Sequence, residues 1–382
     1  MTTPRSVLWP VILLALVGGG VIVGRPYVRG LSFVVRAADL RGVLRAFADL
    51  DAEAIGEREL HIPTTAGSLR ARSYEPGRKF RRTSLLVGGL HPGGYDDPRL
   101  VAFARQLAAS GMAVVTPDIP ELSQFVITPA LTDSIEQSAV FLAADPRLAP
   151  DGRLGLMGVS FSGGLSLVAA GRPSLRGRVA YVFSFGGHDD LSRVLRYLCT
   201  GGVRGGVRPP HDYGVAVVLL GTADRLVPGD QVKTLRDAAR RFLRASYLTR
   251  VDGPAADREF AALRAMVATL PEPSATLVQY MNQRDVAHLG PLLLPYIGFY
   301  GDAAALSVSR SPKTTAPVFL LHGADDNVIP ADESEYLADQ LRGSAPVRLL
   351  VTNVLSHAEA DRPWHVRDLL QLGAFWDDLL AR

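Results

Sequence analysis

A chain of 382 residues, 47% hydrophobic and 21% charged, has the apolar content for a large buried core and too few charges for a long disordered tract. The formal net charge is +3. Its arginines are scattered among acids rather than gathered into a block that could track a phosphate backbone, which argues against nucleic-acid binding. Cys199 is the single cysteine, so neither an intrachain disulfide nor a multi-cysteine zinc site can form.

In chain order, residues 6–24 read SVLWPVILLALVGGGVIVG without a charge, a run of roughly 28 Å as a helix, close to the apolar thickness of a bilayer. This reading makes residues 1–29 a transmembrane or signal-anchor segment, with a cleaved signal peptide as the rival. Arg25, Arg29 and Arg36 follow the run and Arg5 precedes it, which leans towards a cytoplasmic location for the rest of the chain. Leu31 to Ala54 has apolar residues at helical spacing, so residues 30–58 are expected to form a helical linker beside the membrane.

Two alternating stretches, Glu59–Pro63 and Leu69–Tyr74, flank a Thr64-Thr65-Ala66-Gly67 turn and predict a hairpin. A strand–helix rhythm follows. Thr83–Val87 reads as a buried strand, and Asp97-Pro98 as the cap and first position of a helix that stops at Gly111. Met112–Val115 is the next strand. Asp133 with Glu136 suggests a capping box, and Arg153–Gly158 and Val179–Phe183 are further strands. The rhythm lapses from about His188 to Lys313, where the pattern is helical. It resumes at Pro317–Leu321, Val347–Val351 and a final helix. This predicts an α/β fold, a mostly parallel sheet covered on both faces. Its core lies in residues 59–188 and 316–382, and residues 189–315 form a helical cap.

The strongest chemical signal is Gly158-Val159-Ser160-Phe161-Ser162-Gly163-Gly164, set between a predicted strand and a predicted helix. A serine hydroxyl is a poor nucleophile and needs an exposed, fixed position beside a base. A tight strand-to-helix turn supplies that position only if the residues two before and two after are small, as Gly158 and Ser162 are. The alternative is an ordinary helix cap.

At these residues the chain resembles the α/β-hydrolase superfamily, in particular its lidded esterase, lipase and peptidase-like members. The resemblance implies a mostly parallel sheet and a serine, acid, histidine order. It makes Ser160 the nucleophile of a Ser-His-Asp acyl-enzyme mechanism. The acid is expected in the loop Gly323-Ala324-Asp325-Asp326-Asn327, three residues after the glycine, which favours Asp326 over Asp325. His357, after the last strand, is expected as the base, with His365 as competitor. Phe161 is expected to supply one oxyanion N–H and Leu90 the other, from the loop where Gly88 replaces the family's usual histidine; His91 and Tyr95 could line the pocket. Gly221-Thr222-Ala223-Asp224 repeats the acid-loop spacing. Val215–Leu220 before it could be a strand, which would make Asp224 a rival acid, or a buried cap helix, the reading favoured here.

No helix-spaced histidine pair or paired carboxylates suggest a metal, Asp189-Asp190 reading better as a helix start. No cofactor is expected. The expected substrate is a small or lipid-like ester. A peptidase or amidase with the same triad is the alternative, and an inactive membrane-tethered binding protein is a third reading.

Overall fold

The computed structural model describes residues 28–355 and 365–382. Among them an eight-stranded sheet is built from β1 (Ile55–Thr64), β2 (Gly67–Pro76), β3 (Thr83–Val87), β4 (Ala113–Pro117), β5 (Leu154–Val159), β6 (Val179–Phe185), β7 (Val318–Gly323) and β8 (Val347–Thr352). The strand order is β1-β2-β4-β3-β5-β6-β7-β8. β1 and β2 form the expected hairpin, paired from Ile55↔Pro76 to Thr64↔Gly67, and β2 runs antiparallel to β4. The remaining neighbours are parallel. An antiparallel hairpin leading into a parallel sheet of this order, with helices between the strands, is the α/β-hydrolase fold.

The parallel strands are apolar without alternation because helices cover both faces. Every residue of β3 and β4 is buried. One face carries a core of Leu85, Val87, Leu156 and Val182 under the helices Pro129–Ala144 and Phe161–Ala170. The other carries Leu86, Met157, Phe183 and Phe319 under Pro98–Ala109 and the C-terminal helix Val366–Leu380.

The N-terminal expectations are corrected here. The apolar run 6–24 lies outside the described residues, and among those described no helix is long and apolar enough to cross a membrane. The membrane-anchored reading is therefore not upheld. The following segment is not a single linker helix either. A helix α1 spans residues 28–37, a second short one Val43–Ala48, and β1 already begins at Ile55. α1 crosses the C-terminal helix so closely that a Cβ on Gly30 would fall 2.0 Å from the Gly373 carbonyl oxygen. Phe33 is buried against Trp376, ring centroids 4.3 Å apart. Arg36 is buried as well. Its guanidinium donates to the Ala48 carbonyl, to Asp51 at 2.6 Å and to the Ser110 hydroxyl at 2.8 Å. Of these acceptors Ser110 lies beyond the segment, so this buried cation fastens residues 28–51 to the sheet domain.

Other helices are named α2 (Pro98–Ala109), α3 (Pro129–Ala144), α4 (Phe161–Ala170), α5 (Leu191–Thr200), α6 (Gly214–Leu226), α7 (Gly229–Val251), α8 (Gly253–Val267), α9 (Ser274–Gln283), α10 (Val286–Leu293), α11 (Asp332–Leu341) and α12 (Val366–Leu380). α2 begins as expected, with the Asp97 side chain accepting from the N–H groups of Arg99 and Leu100 and Pro98 in its first turn. α3 starts earlier than the Asp133/Glu136 pattern suggested. Thr128-Pro129 opens it, because proline at the first position needs no N–H acceptor. Asp133 and Glu136 instead hold Arg172, at 2.6 and 2.5 Å.

Candidate active site

The loops after β3, β5, β6 and β7 leave from one edge of the sheet. Val87 pairs with Gly158, Gly158 with Ser184, and Phe185 with Leu321, so these strands end level. Crevices outside the carboxyl ends of parallel strands are where open α/β sheets bind ligands.

Ser160 stands at the turn from β5 into α4 with φ 55° and ψ −132°. Positive φ in a residue with a Cβ costs energy and persists only where its surroundings enforce it. The enforcement is visible. The Ser160 N–H donates to the Phe185 carbonyl at 2.6 Å, and its carbonyl accepts from Gly163 N–H at 2.8 Å. Small neighbours are a geometric requirement, since a Cβ at Gly158 would lie 2.2 Å from the Ser162 carbonyl oxygen. Although Ser160 occupies the cap position of α4, its side chain makes no capping hydrogen bond. A serine kept there for helix capping would use its hydroxyl on the second or third N–H, so the ordinary cap reading loses its support.

The Ser162 hydroxyl donates to the Gly88 carbonyl at 2.6 Å, tying the loop after β3 to the turn. A Cβ on Gly89 would come within 2.9 Å of Ser160 Cβ and 3.3 Å of its Oγ, so this loop runs alongside the hydroxyl. Gly89 is thus next to Ser160. Phe161 is the first residue of α4, and a helix provides no internal acceptor for its first N–H.

Behind Phe161, the buried ring of His188 stacks at 5.0 Å. Its Nε2 lies 2.8 Å from the Leu306 carbonyl and so carries the proton. Burial pushes this imidazole below its ordinary value, against the pull of that hydrogen bond and the nearby Asp189 and Asp190. Asp190 caps α5 by accepting from Arg193 N–H, as a helix start should. Among the described residues no group of three or more His, Cys, Asp or Glu could hold a metal.

Of the two acid-loop candidates, Asp325 is exposed and Asp326 is 1% exposed. Asp326 Oδ1 accepts from the N–H groups of Val328 and Ile329 at 2.8 and 3.0 Å. Its Oδ2 faces Gly186, whose φ of +63° turns the chain after β6 past the carboxylate. His322 lies 3.3 Å from Oδ2, but its two nitrogens are engaged by the Ser334 hydroxyl at 2.6 Å and the Ile329 carbonyl at 2.9 Å. It is structural.

Residues from the helical region between β6 and β7 brace this loop, and the sequence pattern did not single them out. Arg208 donates to the carbonyls of Ala324 and Asp326 at 3.0 and 3.2 Å, Tyr197 to that of Asn327 at 3.1 Å, and His211 N–H to the same Asn327 carbonyl at 2.7 Å. No local motif marks such contacts, because their acceptors are backbone atoms more than a hundred residues away. The same region reaches the other side of the site, where Tyr247 of α7 meets His91 edge to face at 4.6 Å.

Asp224 is elsewhere. Val215–Leu220 belong to α6, and Asp224 on that helix is exposed and paired with Arg236 at 2.8 Å. His365 sits at the start of α12, where its N–H is 3.2 Å from Asp368 Oδ2 in a capping box. His357 lies outside the described residues.

No family model matches the chain. A search of curated proteins likewise finds no match. Among solved structures the chain is similar to an esterase from Pyrobaculum calidifontis, at 17% identity and TM-score 0.47, covering 94% of this chain and 92% of that one. It is also similar to a dienelactone hydrolase from Anabaena variabilis, at 15% identity and TM-score 0.43, covering 84% and 96%. A third likeness is to an acylaminoacyl peptidase from Pyrococcus horikoshii, at 13% identity and TM-score 0.42, covering 83% of this chain and 40% of that one.

Proposed function

We propose that this protein is a serine hydrolase that cleaves a carboxylic ester through an acyl-enzyme, with Ser160 as nucleophile, His357 as base and Asp326 as the orienting acid. The observation that carries the reading is Ser160 itself. It is a non-glycine residue at φ 55°, at a strand-to-helix turn, whose hydroxyl does not cap the helix it precedes.

In the proposed reaction His357 takes the hydroxyl proton as Ser160 Oγ attacks the ester carbon. Asp326 keeps the imidazole in the productive tautomer and stabilises its charge. The acid's own two backbone N–H donors fit that role, since they hold the carboxylate in one orientation. The N–H groups of Phe161 and Leu90 receive the oxyanion, each contributing about 10²–10³-fold in rate. The alkoxide leaves with the proton from His357. Water then attacks the acyl carbon, passing a proton to His357, which returns it to Ser160 Oγ as the C–Oγ bond breaks and the carboxylic acid leaves. The helices between β6 and β7, which contact both the acid loop and the loop after β3, would cap the bound substrate.

Labelling with a fluorophosphonate tests the nucleophile. The native chain is expected to react at one residue and Ser160→Ala not at all; unimpaired labelling of Ser160→Ala would refute the assignment. Comparing p-nitrophenyl esters with matched p-nitroanilides then checks the leaving-group class, with faster turnover of the esters expected.

A further inference from the structure

Two residues beyond the glycine that packs on Ser160 begins a histidine–aspartate pair. The His91 ring approaches Asp97 through Nδ1, 2.6 Å from Oδ2. Asp97 is itself immobile: buried, capping α2, and gripped by Arg99. The loop backbone is pinned as well, His91 N–H donating to the Leu122 carbonyl at 3.2 Å and its own carbonyl accepting from Gly94 N–H at 2.9 Å. Tyr247 closes the remaining side of the ring.

A carboxylate can only accept, so the close contact puts a proton on Nδ1, and in the neutral imidazole Nε2 then carries the lone pair. The Gly93 N–H also points at Nδ1, at the longer distance of 3.1 Å. Among the described residues nothing hydrogen-bonds Nε2, and the side chain keeps 18% of its surface exposed. Bracing the loop would need only the Asp97 contact. The ring instead presents an oriented acceptor two residues beyond Gly89, the glycine that packs on Ser160.

We propose that His91, fixed by Asp97, is a specificity-determining residue of this site whose Nε2 accepts a hydrogen bond from a hydroxyl group of the substrate. The assignment rests on Ser160 as the nucleophile for where the substrate lies. It makes the preferred substrate a hydroxylated ester rather than a plain aliphatic one.

Binding to the Ser160→Ala protein, which separates recognition from turnover, decides it. Two ligand pairs are titrated by calorimetry, butyrate against 3-hydroxybutyrate and ethyl butyrate against 2-hydroxyethyl butyrate, placing the hydroxyl on either side of the ester. The hydroxylated member of at least one pair is expected to bind about tenfold more tightly, the worth of one well-made hydrogen bond. His91→Phe in the same background keeps a ring against Tyr247 but has no acceptor, and should abolish the preference; His91→Gln, which restores an acceptor, should regain part of it. Equal binding within both pairs, or a preference that survives His91→Phe, overturns the proposal. Fluorophosphonate labelling of the native chain is the independent arm. If Ser160 is labelled and the pairs bind equally, the His91 assignment alone fails. If Ser160 is not labelled, the nucleophile reading fails, and the binding ratios still decide His91.

Discussion

Two strings with the same spacing, Gly221-Thr222-Ala223-Asp224 and Gly323-Ala324-Asp325-Asp326, end in opposite surroundings. Asp326 follows a buried strand, is 1% exposed and is held by two backbone N–H groups. Asp224 belongs to a helix, has 46% of its side chain exposed and pairs with surface arginines. Even the glycines differ in purpose. Gly221 makes room for the Tyr300 ring, which a Cβ there would approach to 2.1 Å. Gly323 ends β7, opposite Thr352 of β8. A carboxylate's chemistry is set by the element that delivers it and by what surrounds it, and a four-residue pattern specifies neither.

That contrast can be broken or sharpened experimentally. The largest effect should come from Ser160→Ala, with ester turnover falling by about 10⁴-fold or more while the melting temperature holds, as expected for a nucleophile. Asp326→Asn should lower kcat by about 10⁴-fold if it orients the base; kcat within threefold of the parent would put Asp326 on the same footing as Asp224. Gly221→Ala should lower stability by about 1–3 kcal/mol through overpacking against Tyr300, read from denaturant melts, with kcat little changed.

A third aspartate extends the comparison to pH. Burial of Asp97 opposes its ionisation, yet hydrogen bonds and charge from His91 and Arg99 hold its carboxyl well below the ordinary 3.8. In the unfolded chain it takes up a proton more readily, so its ionised form stabilises the fold fully above that ordinary value. The contribution fades as pH falls below it. Asp97→Ala should therefore cost about 1–2 kcal/mol at neutral pH, a capping loss, and the gap to the parent should narrow in melts below pH 4. The smallest effect belongs to Asp224→Asn, within about 0.5 kcal/mol in stability, as for other exposed ion pairs. Its kcat should stay within twofold; a tenfold loss would restore Asp224 as a candidate acid.

Much of the architecture was legible from local pattern. Short apolar runs such as Leu85-Leu86-Val87 announce strands buried on both faces, and Asp97-Pro98 announces a helix start, because each signal is written in adjacent residues. The small-x-Ser-x-small string announced the turn at Ser160 for the same reason, since the steric demand of Gly158 on Ser162 is only four residues long. Where two local signals competed the result was less secure. Thr128-Pro129 opened α3 in place of the Asp133/Glu136 pair, whose carboxylates were claimed by Arg172, some forty residues on.

The apolar run near the N-terminus suggested a membrane anchor, while among the described residues Gly30 and Phe33 pack on the C-terminal helix and Arg36 bonds Ser110. Periodicity shows that a face is apolar; it does not name what covers it. The supports of Asp326 are of the same kind. Arg208 and Tyr197 act on backbone carbonyls that chain topology alone brings near. Short-range sterics and hydrogen-bonding preferences thus settle elements and turns from within a few residues. Which buried groups meet, and which of two like-spaced aspartates is enclosed, depends on packing between segments a hundred residues apart.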